Sequence, residues 1–206
     1  MYISRIAEDG RKQFTVDHLK ESSEYAALLG NKFGLSEISR LATILHDLGK
    51  FSQEFVNYLE ESFIQQKAGE KTAARGSVIH STQGAKYIYE YCAQSDDLFK
   101  ILVSEICALC IASHHGGLMD MISPNGETPL LERLKKESIS KNYNQIIEIA
   151  EQELNIGQDI KDIFQKAENE IKAFLEKCKQ KDLDCLFMLN LLTRTVYSCL
   201  VDADRY

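Results

Sequence analysis

The sequence predicts an all-α protein that forms one domain of roughly eight to ten helices. Two observations favour this fold class. Apolar residues recur at helical spacing among long runs of Leu, Ile, Ala, Glu and Lys, and the chain has only two prolines and no tryptophan. Its 206 residues suffice for one well-buried domain and are too few for two comfortable ones. We therefore expect a single domain over residues 1–206.

The net charge limits the classes of function. A formal charge of −7 at pH 7 argues against a free-standing binder of duplex DNA, because such binders carry a basic stripe that neutralises phosphates. Lys135, Lys136 and Lys141 fit a solvated face better than a nucleic-acid track. A nucleic-acid substrate would therefore be delivered by another domain or subunit.

The cysteines and the apolar segments predict a reducing, aqueous compartment. Six cysteines fall mostly inside apolar helical patterns, which favours buried thiols over disulfides. Cys107 and Cys110 have C-x-x-C spacing, but their wholly apolar surroundings favour a core role over a metal or redox role. No stretch approaches the roughly 20 apolar residues of a membrane span, and the N-terminus lacks a signal-peptide core. We expect a cytoplasmic protein without a membrane partner.

Nine helices are predicted in order, after a polar arm or short turn over residues 1–14. Thr15 and Ser36 are the predicted N-caps of the first two helices. Residues 118–128 form the longest irregular segment and predict a mobile rim for an active site. The predicted helices cover residues 15–30, 36–49, 51–68, 77–92, 98–112, 129–138, 143–155, 158–178 and 184–205.

His46 and Asp47 stand at the end of the second helix, which is apolar almost all round and hence central. Gly49 is predicted to end this helix in the left-handed conformation. An aspartate there opposes the helix dipole and is costly to bury without a cation, and a metal ion removes that penalty. Lys50 follows, with two roles equally open: it compensates the helix carbonyls, or it holds a phosphate oxygen beside a metal.

The other histidines have structural and functional explanations. His18, taken alone, fits a partly buried histidine with a hydrogen-bond partner. His80 stands one turn before Gly84, a glycine that would let another helix or a substrate approach closely. His114 and His115 end a buried helix, and the two glycines that follow predict unwinding that turns both rings inward. The alternative for this last pair is a chance surface dipeptide.

Together, these residues exceed what one metal ion needs. Five histidines and two aspartates fit two divalent cations about 3.5 to 4 Å apart, bridged by a carboxylate and a water. Imidazole and carboxylate ligands favour Mn²⁺, Fe²⁺, Ni²⁺, Co²⁺ or Zn²⁺ over calcium, with Mg²⁺ less suited. Such a pair orients a phosphodiester and stabilises its leaving oxygen, which needs no covalent nucleophile.

The order of these motifs resembles the HD superfamily of metal-dependent phosphohydrolases. More narrowly, it is similar to the HD nuclease domain of the CRISPR-associated helicase–nuclease of type I systems. The resemblance runs from about residue 17 to the end of the chain. Its motifs are His46-Asp47-Leu-Gly-Lys50, His80-Ser81, Ser113-His114-His115-Gly116 and Asp202-Ala-Asp204-Arg205.

This resemblance implies an all-helical bundle around a site for one or two transition-metal ions. It implies nicking and degradation of single-stranded DNA in CRISPR interference. The implied partners are a helicase domain or subunit and an RNA-guided surveillance complex. The chain stops straight after Tyr206, where the family continues, which favours an excised N-terminal fragment over a stand-alone subunit.

Residue roles follow from the same resemblance, position by position. The first ion would be held by His18, His46, Asp47 and Asp204, and the second by Asp47, His80, His114 and His115. Asp47, as the bridge, and Lys50, near the phosphate, are the expected catalytic residues. Asp202 and Asp204 lie about 200° apart on a helix, so only one faces inward. Asp204 is chosen because a basic residue follows it, as in the superfamily pattern.

Two other functions remain open. One is an HD phosphohydrolase or phosphodiesterase acting on nucleotides or cyclic nucleotides, which needs the same metals but a closed pocket with base and ribose contacts. The other is a non-catalytic helical module that a metal stabilises and that serves as a docking platform.

Overall fold

A computed structural model describes residues 1–72, 78–136 and 142–206. The chain begins with a two-stranded antiparallel hairpin and continues with helices. The strands are β1 Ile3–Ile6 and β2 Lys12–Phe14. The helices are α1 Thr15–Asn31, α2 Ser36–Leu45, α3 Gln53–Lys67, α4 Thr82–Tyr91, α5 Leu98–Ser113, α6 Pro129–Leu134, α7 Tyr143–Leu154, α8 Ile156–Gln180 and α9 Cys185–Arg205, with a 3₁₀ turn at Leu48–Lys50.

The all-α prediction is confirmed, with nine α-helices and two short strands in the three described ranges. The prediction for residues 1–14 is wrong, because they form the hairpin and not an arm or a helical turn. The hairpin packs against α1 and α3. Parts of two predicted helices, residues 77 and 137–138, and Lys141 lie outside the described residues.

Helix α2 is central, as predicted. It packs against α1, α5, α8 and α9, and Ile38, Leu41 and Leu45 are completely buried in the core. Each of these side chains contributes about 1.5 to 3 kcal/mol by leaving water. The helix that carries His46 is therefore fixed from several sides.

The predicted helix caps are wrong. Thr15 lies inside the first turn of α1 without a side-chain cap, and the Ser36 hydroxyl donates to the Ala27 carbonyl. Instead, Glu170 of α8 accepts hydrogen bonds from the backbone N–H groups of Glu37 and Ile38 at 2.9 to 3.0 Å. A carboxylate at the positive end of the dipole does what a cap does, from another helix.

Helix α2 also ends earlier than predicted, at Leu45 instead of Gly49. Gly49 does not adopt the left-handed conformation. Its N–H donates to the His80 carbonyl at 3.1 Å, and a Cβ there would lie 2.5 Å from the His80 Cα. The glycine therefore serves a close approach of two chain segments.

Helix α9 is less buried than its apolar sequence predicts. Leu186, Phe187 and Leu191 are exposed on its outer face, whereas Leu200 and Ala203 are buried. By length and composition alone, α9 is long and apolar enough to cross a membrane, contrary to the sequence prediction. Core helices of soluble proteins meet the same two criteria. Here α9 packs against α1 and α2.

All six cysteines lie in the described ranges and are free, which confirms the prediction. Cys107 and Cys110 are fully buried in the core, and burial raises the pKa of both thiols.

Replacement of Gly84 by alanine should disrupt the contact between α2 and α4. A Cβ at Gly84 would lie 1.7 Å from the Leu45 carbonyl oxygen, so the helices must separate. We expect Gly84→Ala to lower the free energy of unfolding by about 3 kcal/mol in urea titrations.

The matched control is Gly157→Ala, at a helical glycine with no heavy atom within 4 Å of the added Cβ. It should leave stability unchanged or raise it by up to about 1 kcal/mol, because alanine has fewer conformations than glycine in the unfolded chain. Equal stability of the two variants would contradict the close approach.

Candidate metal centre

The structure brings together all seven side chains that the sequence proposes as metal ligands. They come from α1, from the ends of α2 and α5, from the segment before α4 and from the last turn of α9. Every one of them is within 3.8 Å of another member. The seven are His18, His46, Asp47, His80, His114, His115 and Asp204.

Asp47 lies at the centre, and its two carboxylate oxygens face different histidines. Oδ2 is 3.1 Å from Nε2 of His46 and 3.6 Å from Nε2 of His18. Oδ1 is 3.5 Å from Nε2 of His114 and 3.8 Å from Nε2 of His80. One carboxylate thus joins two groups of imidazoles.

The first cluster consists of His18, His46, Asp47 and Asp204. Oδ1 of Asp204 lies 3.3 Å from Nε2 of His18 and 3.2 Å from Nε2 of His46. One ligand atom of each member lies within 4.8 Å of the others, a spacing that one ion can bridge. Asp202, the alternative to Asp204, is exposed and lines a separate cavity with Lys32.

The second cluster consists of Asp47, His80, His114 and His115. Ligand atoms of Asp47, His114 and His115 lie within 4.8 Å of one another. Nε2 of His80 is 2.9 Å from Nε2 of His115. Helix α5 ends at Ser113, and Gly117 has φ +89°, so the chain unwinds there as the sequence predicts.

Backbone carbonyls orient three of the histidines. Nδ1 of His46 donates to the Thr43 carbonyl at 2.6 Å, and Nδ1 of His114 donates to the Ile111 carbonyl at 2.7 Å. Nδ1 of His80 donates to the Val78 carbonyl at 3.0 Å. Because a carbonyl only accepts, the proton sits on Nδ1, and Nε2 faces the cluster as a ligand atom.

The charges of the buried groups depend on one another. Burial opposes the charge of Asp47, but His46 and Lys50 hold its pKa well below the usual range. Burial likewise opposes protonation of His46, yet Asp47 and Asp204 raise the pKa of His46 to about 10. Burial would raise the pKa of Asp204, but hydrogen bonds with His18 and His46 lower it.

The second cluster favours neutral imidazoles. Burial lowers the pKa of His80, although Asp47 partly offsets this effect. Burial and the neighbouring His114 lower the pKa of His115 to about 4. Neutral imidazole is the form that binds a metal.

Unpartnered polar atoms indicate that the residues fit divalent cations. Both carboxylate oxygens of Asp47 and Nε2 of His114 are buried and make no hydrogen bond in the described part of the chain. Lys50 approaches Oδ2 of Asp47 at 2.6 Å as an ion pair, outside hydrogen-bond angles. Buried acceptors without donors are costly, and a cation among them removes the cost.

Comparison with protein families places this geometry in a known group. The family model described as HD domain matches residues 15–156, which is more than half of the chain. The chain belongs to the HD domain family. Membership indicates a metal-dependent phosphohydrolase. No curated protein matches the chain.

The match covers His18, His46, Asp47, His80 and the His114–His115 pair of the HD domain, but it ends before α9. Asp204 lies outside the matched range, and the structure brings it to within 3.3 Å of His18 and 3.2 Å of His46.

Ser4 is a further residue of this HD site, and sequence patterns do not predict it. Ser4 lies on β1 and is buried, and its hydroxyl accepts a hydrogen bond from Nζ of Lys50 at 2.8 Å. Lys50 thus spans from Ser4 to Asp47. No signal in the sequence points to Ser4, because its role depends on a hairpin that local patterns do not predict.

Two aspartates on the same helix give a matched test of the first cluster. We expect Asp204→Asn to weaken Mn²⁺ binding about 100-fold, because it removes a charged ligand candidate. At saturating metal, the metal-linked stabilisation then falls by about 2.7 kcal/mol. Asp202→Asn should keep the wild-type shift in thermal unfolding on addition of Mn²⁺. Identical shifts in both variants would exclude Asp204 from the site.

Metal binding should release a proton from His46. Its pKa near 10 means that the ring is protonated at neutral pH without a cation, whereas a ligand histidine must be neutral. The aspartates release none, because their lowered pKa values leave them ionised already. Apparent affinity should therefore rise with pH up to about pH 10. Calorimetry in buffers of different ionisation enthalpy should find about one proton released near neutrality, and zero release would contradict this charge state.

Proposed function

We propose that this HD domain is a metal-dependent nuclease that hydrolyses phosphodiester bonds of single-stranded DNA. The observation that carries the proposal is the placement of the Asp47 carboxylate. Each of its oxygens faces a different set of imidazole Nε2 atoms, which supports a site for two divalent cations. When bound, two such ions lower the pKa of a water, orient the diester and stabilise the leaving oxygen.

The residues of the chain supply the framework for this chemistry. Asp47 bridges the two clusters, and the carbonyl-bound histidines present Nε2 without rotational freedom. The Lys50 ammonium holds Asp47 in place and offsets part of its charge. Lys50 acts through Asp47 in this arrangement, so we assign it a positioning role in place of the phosphate contact that the resemblance implies.

The shape of the site supports a polymeric substrate. His46 and Asp47 are 0% exposed, whereas His115 and the two glycines after it are exposed. The second cluster therefore opens at the molecular surface, where a strand can pass. A nucleotide hydrolase needs a closed pocket with base and ribose contacts, so this opening favours the nuclease over the nucleotide-directed alternative.

The net charge of −7 disfavours direct binding of a DNA duplex. It supports a single-stranded substrate that a partner delivers to the site. The His80-Ser81 and Ser113-His114-His115-Gly116 motifs support a role in CRISPR interference. We accordingly propose a cytoplasmic domain that works with a helicase domain or subunit and with an RNA-guided surveillance complex.

The test is cleavage of single-stranded circular DNA. Chelator-treated protein should leave the DNA intact, and addition of Mn²⁺, Ni²⁺ or Co²⁺ should give linear and then shorter products on gels. Asp47→Asn should lower the rate at least about 100-fold, because it removes the charge shared by both clusters. Asp202→Asn, on the surface, should cleave at the wild-type rate.

Other results would contradict the nuclease. Intact DNA under every metal, with hydrolysis of a nucleotide or cyclic dinucleotide, would establish the phosphohydrolase alternative. No turnover of either substrate, with metal-dependent thermal stabilisation, would contradict both hydrolase functions and favour the docking module.

A further inference from the structure

A groove lies between the N-terminus of α4 and helix α6, and we call it the α4–α6 groove. Its volume is about 280 Å³. Two cationic side chains lie along it among apolar and hydroxyl groups. Its main lining residues are Ile79, Thr82, Met119, Pro129, Arg133 and Lys136.

The α4–α6 groove is lined by residues that lie close in the chain to His80 and to the turn at His115. Ile79 directly precedes His80, and Thr82 follows it by two residues. Two residues span at most about 7 Å of chain, so this wall of the groove starts within that distance of the His80 backbone. On the other wall, Met119 follows the His115 turn, and its N–H donates to the Ser113 hydroxyl at 3.2 Å. Both chain segments that form the rim of the site therefore continue into the groove.

Arg133 is the charged group that the groove partly removes from water. It is half-buried, and Nε donates to the Thr82 hydroxyl at 3.4 Å. Burial lowers the pKa of Arg133, and no carboxylate pairs with it among the residues whose placement is described. The planar fork of a guanidinium suits the oxygens of a phosphate.

Lys136 lies on the same groove and is exposed. Glu132 also lines it, so the three charged groups of the described lining sum to +1 in a chain of net charge −7. The sequence favoured a solvated face for Lys136. Its position in the same groove as Arg133 allows a second role, the binding of an anion.

We infer that the α4–α6 groove binds a phosphate of the substrate that neighbours the scissile one, through Arg133 and Lys136. The inference rests on the proposed hydrolysis of phosphodiesters at the metal centre and narrows its substrate. A second phosphate site selects a polynucleotide strand over a diester or nucleotide with one phosphate. The groove also sets the direction in which the strand leaves the second cluster.

The competing explanation is structural. The aliphatic stem of Arg133 could simply pack between α4 and α6, with its charge at the surface. Methionine keeps an unbranched apolar stem and removes the charge. The variant Arg133→Met therefore separates the two explanations.

The experiment compares two substrates: a single-stranded DNA oligonucleotide and bis(para-nitrophenyl) phosphate, which has one diester. With Mn²⁺, Arg133→Met should lose about tenfold more kcat/KM on the oligonucleotide than on the small diester, mainly through KM. Metal-free binding of the oligonucleotide, followed by fluorescence anisotropy, should show a salt slope smaller by about 0.7. Lys136→Met, at an exposed position, should shift both readouts in the same direction.

The matched control is Arg194→Met, which removes the same charge from the outer face of α9, where Arg194 bonds Asn190. It should behave as wild type. Equal losses on both substrates in Arg133→Met, or none in either groove variant, would overturn the inference while the wild type still turns over. If the wild type hydrolyses neither substrate, the result contradicts the proposed function itself, and with it the phosphate site that rests on that function.

Discussion

The structure depends on a carboxylate that is buried at the end of the central helix. Asp47 is fully buried, directly after α2, where the helix dipole already presents negative partial charge. In the described structure it receives no backbone hydrogen bond, and its only counter-charges come from side chains. Four histidines and Lys50 surround it from other elements. A protein maintains such a group only if a cation or a cationic cluster offsets its desolvation.

The helices are arranged to bring partners to that carboxylate. Gly84 lets the first turn of α4 touch the Leu45 carbonyl, and Gly49 lets the His80 backbone lie against the 3₁₀ turn. These two contacts fix the position of the His80 backbone relative to the chain segment that carries Asp47. A protein core is packed about as densely as a crystal of small organic molecules, so there is no space for an added methyl group at either glycine. The stability of the fold and the geometry of the site are thus determined at the same positions.

The sequence predicted the helices and the polar residues at their ends, because both follow from short-range patterns. Helical periodicity located α2 and α5, and the cost of burying Asp47 pointed to a metal. The 3.6-residue repeat also separated Asp202 from Asp204, although it could not choose between them without the superfamily pattern. What remained hidden depends on contacts between distant segments. Glu170 caps α2 from α8, and β1 and β2 are too short to show a strand pattern.

The two clusters differ in their access to water, and this difference has a kinetic consequence. The first cluster is covered on nearly all sides, with partly exposed Asp204 as its outermost member, whereas exposed His115 borders the second. If each cluster binds an ion, an ion at the second cluster would exchange with solvent through the open rim. An ion at the first cluster would have to pass Asp204 or wait for the last turn of α9 to fray. Two ions of equal affinity would therefore exchange at different rates, and a brief treatment with chelator would give protein that keeps the inner ion and has lost the outer one.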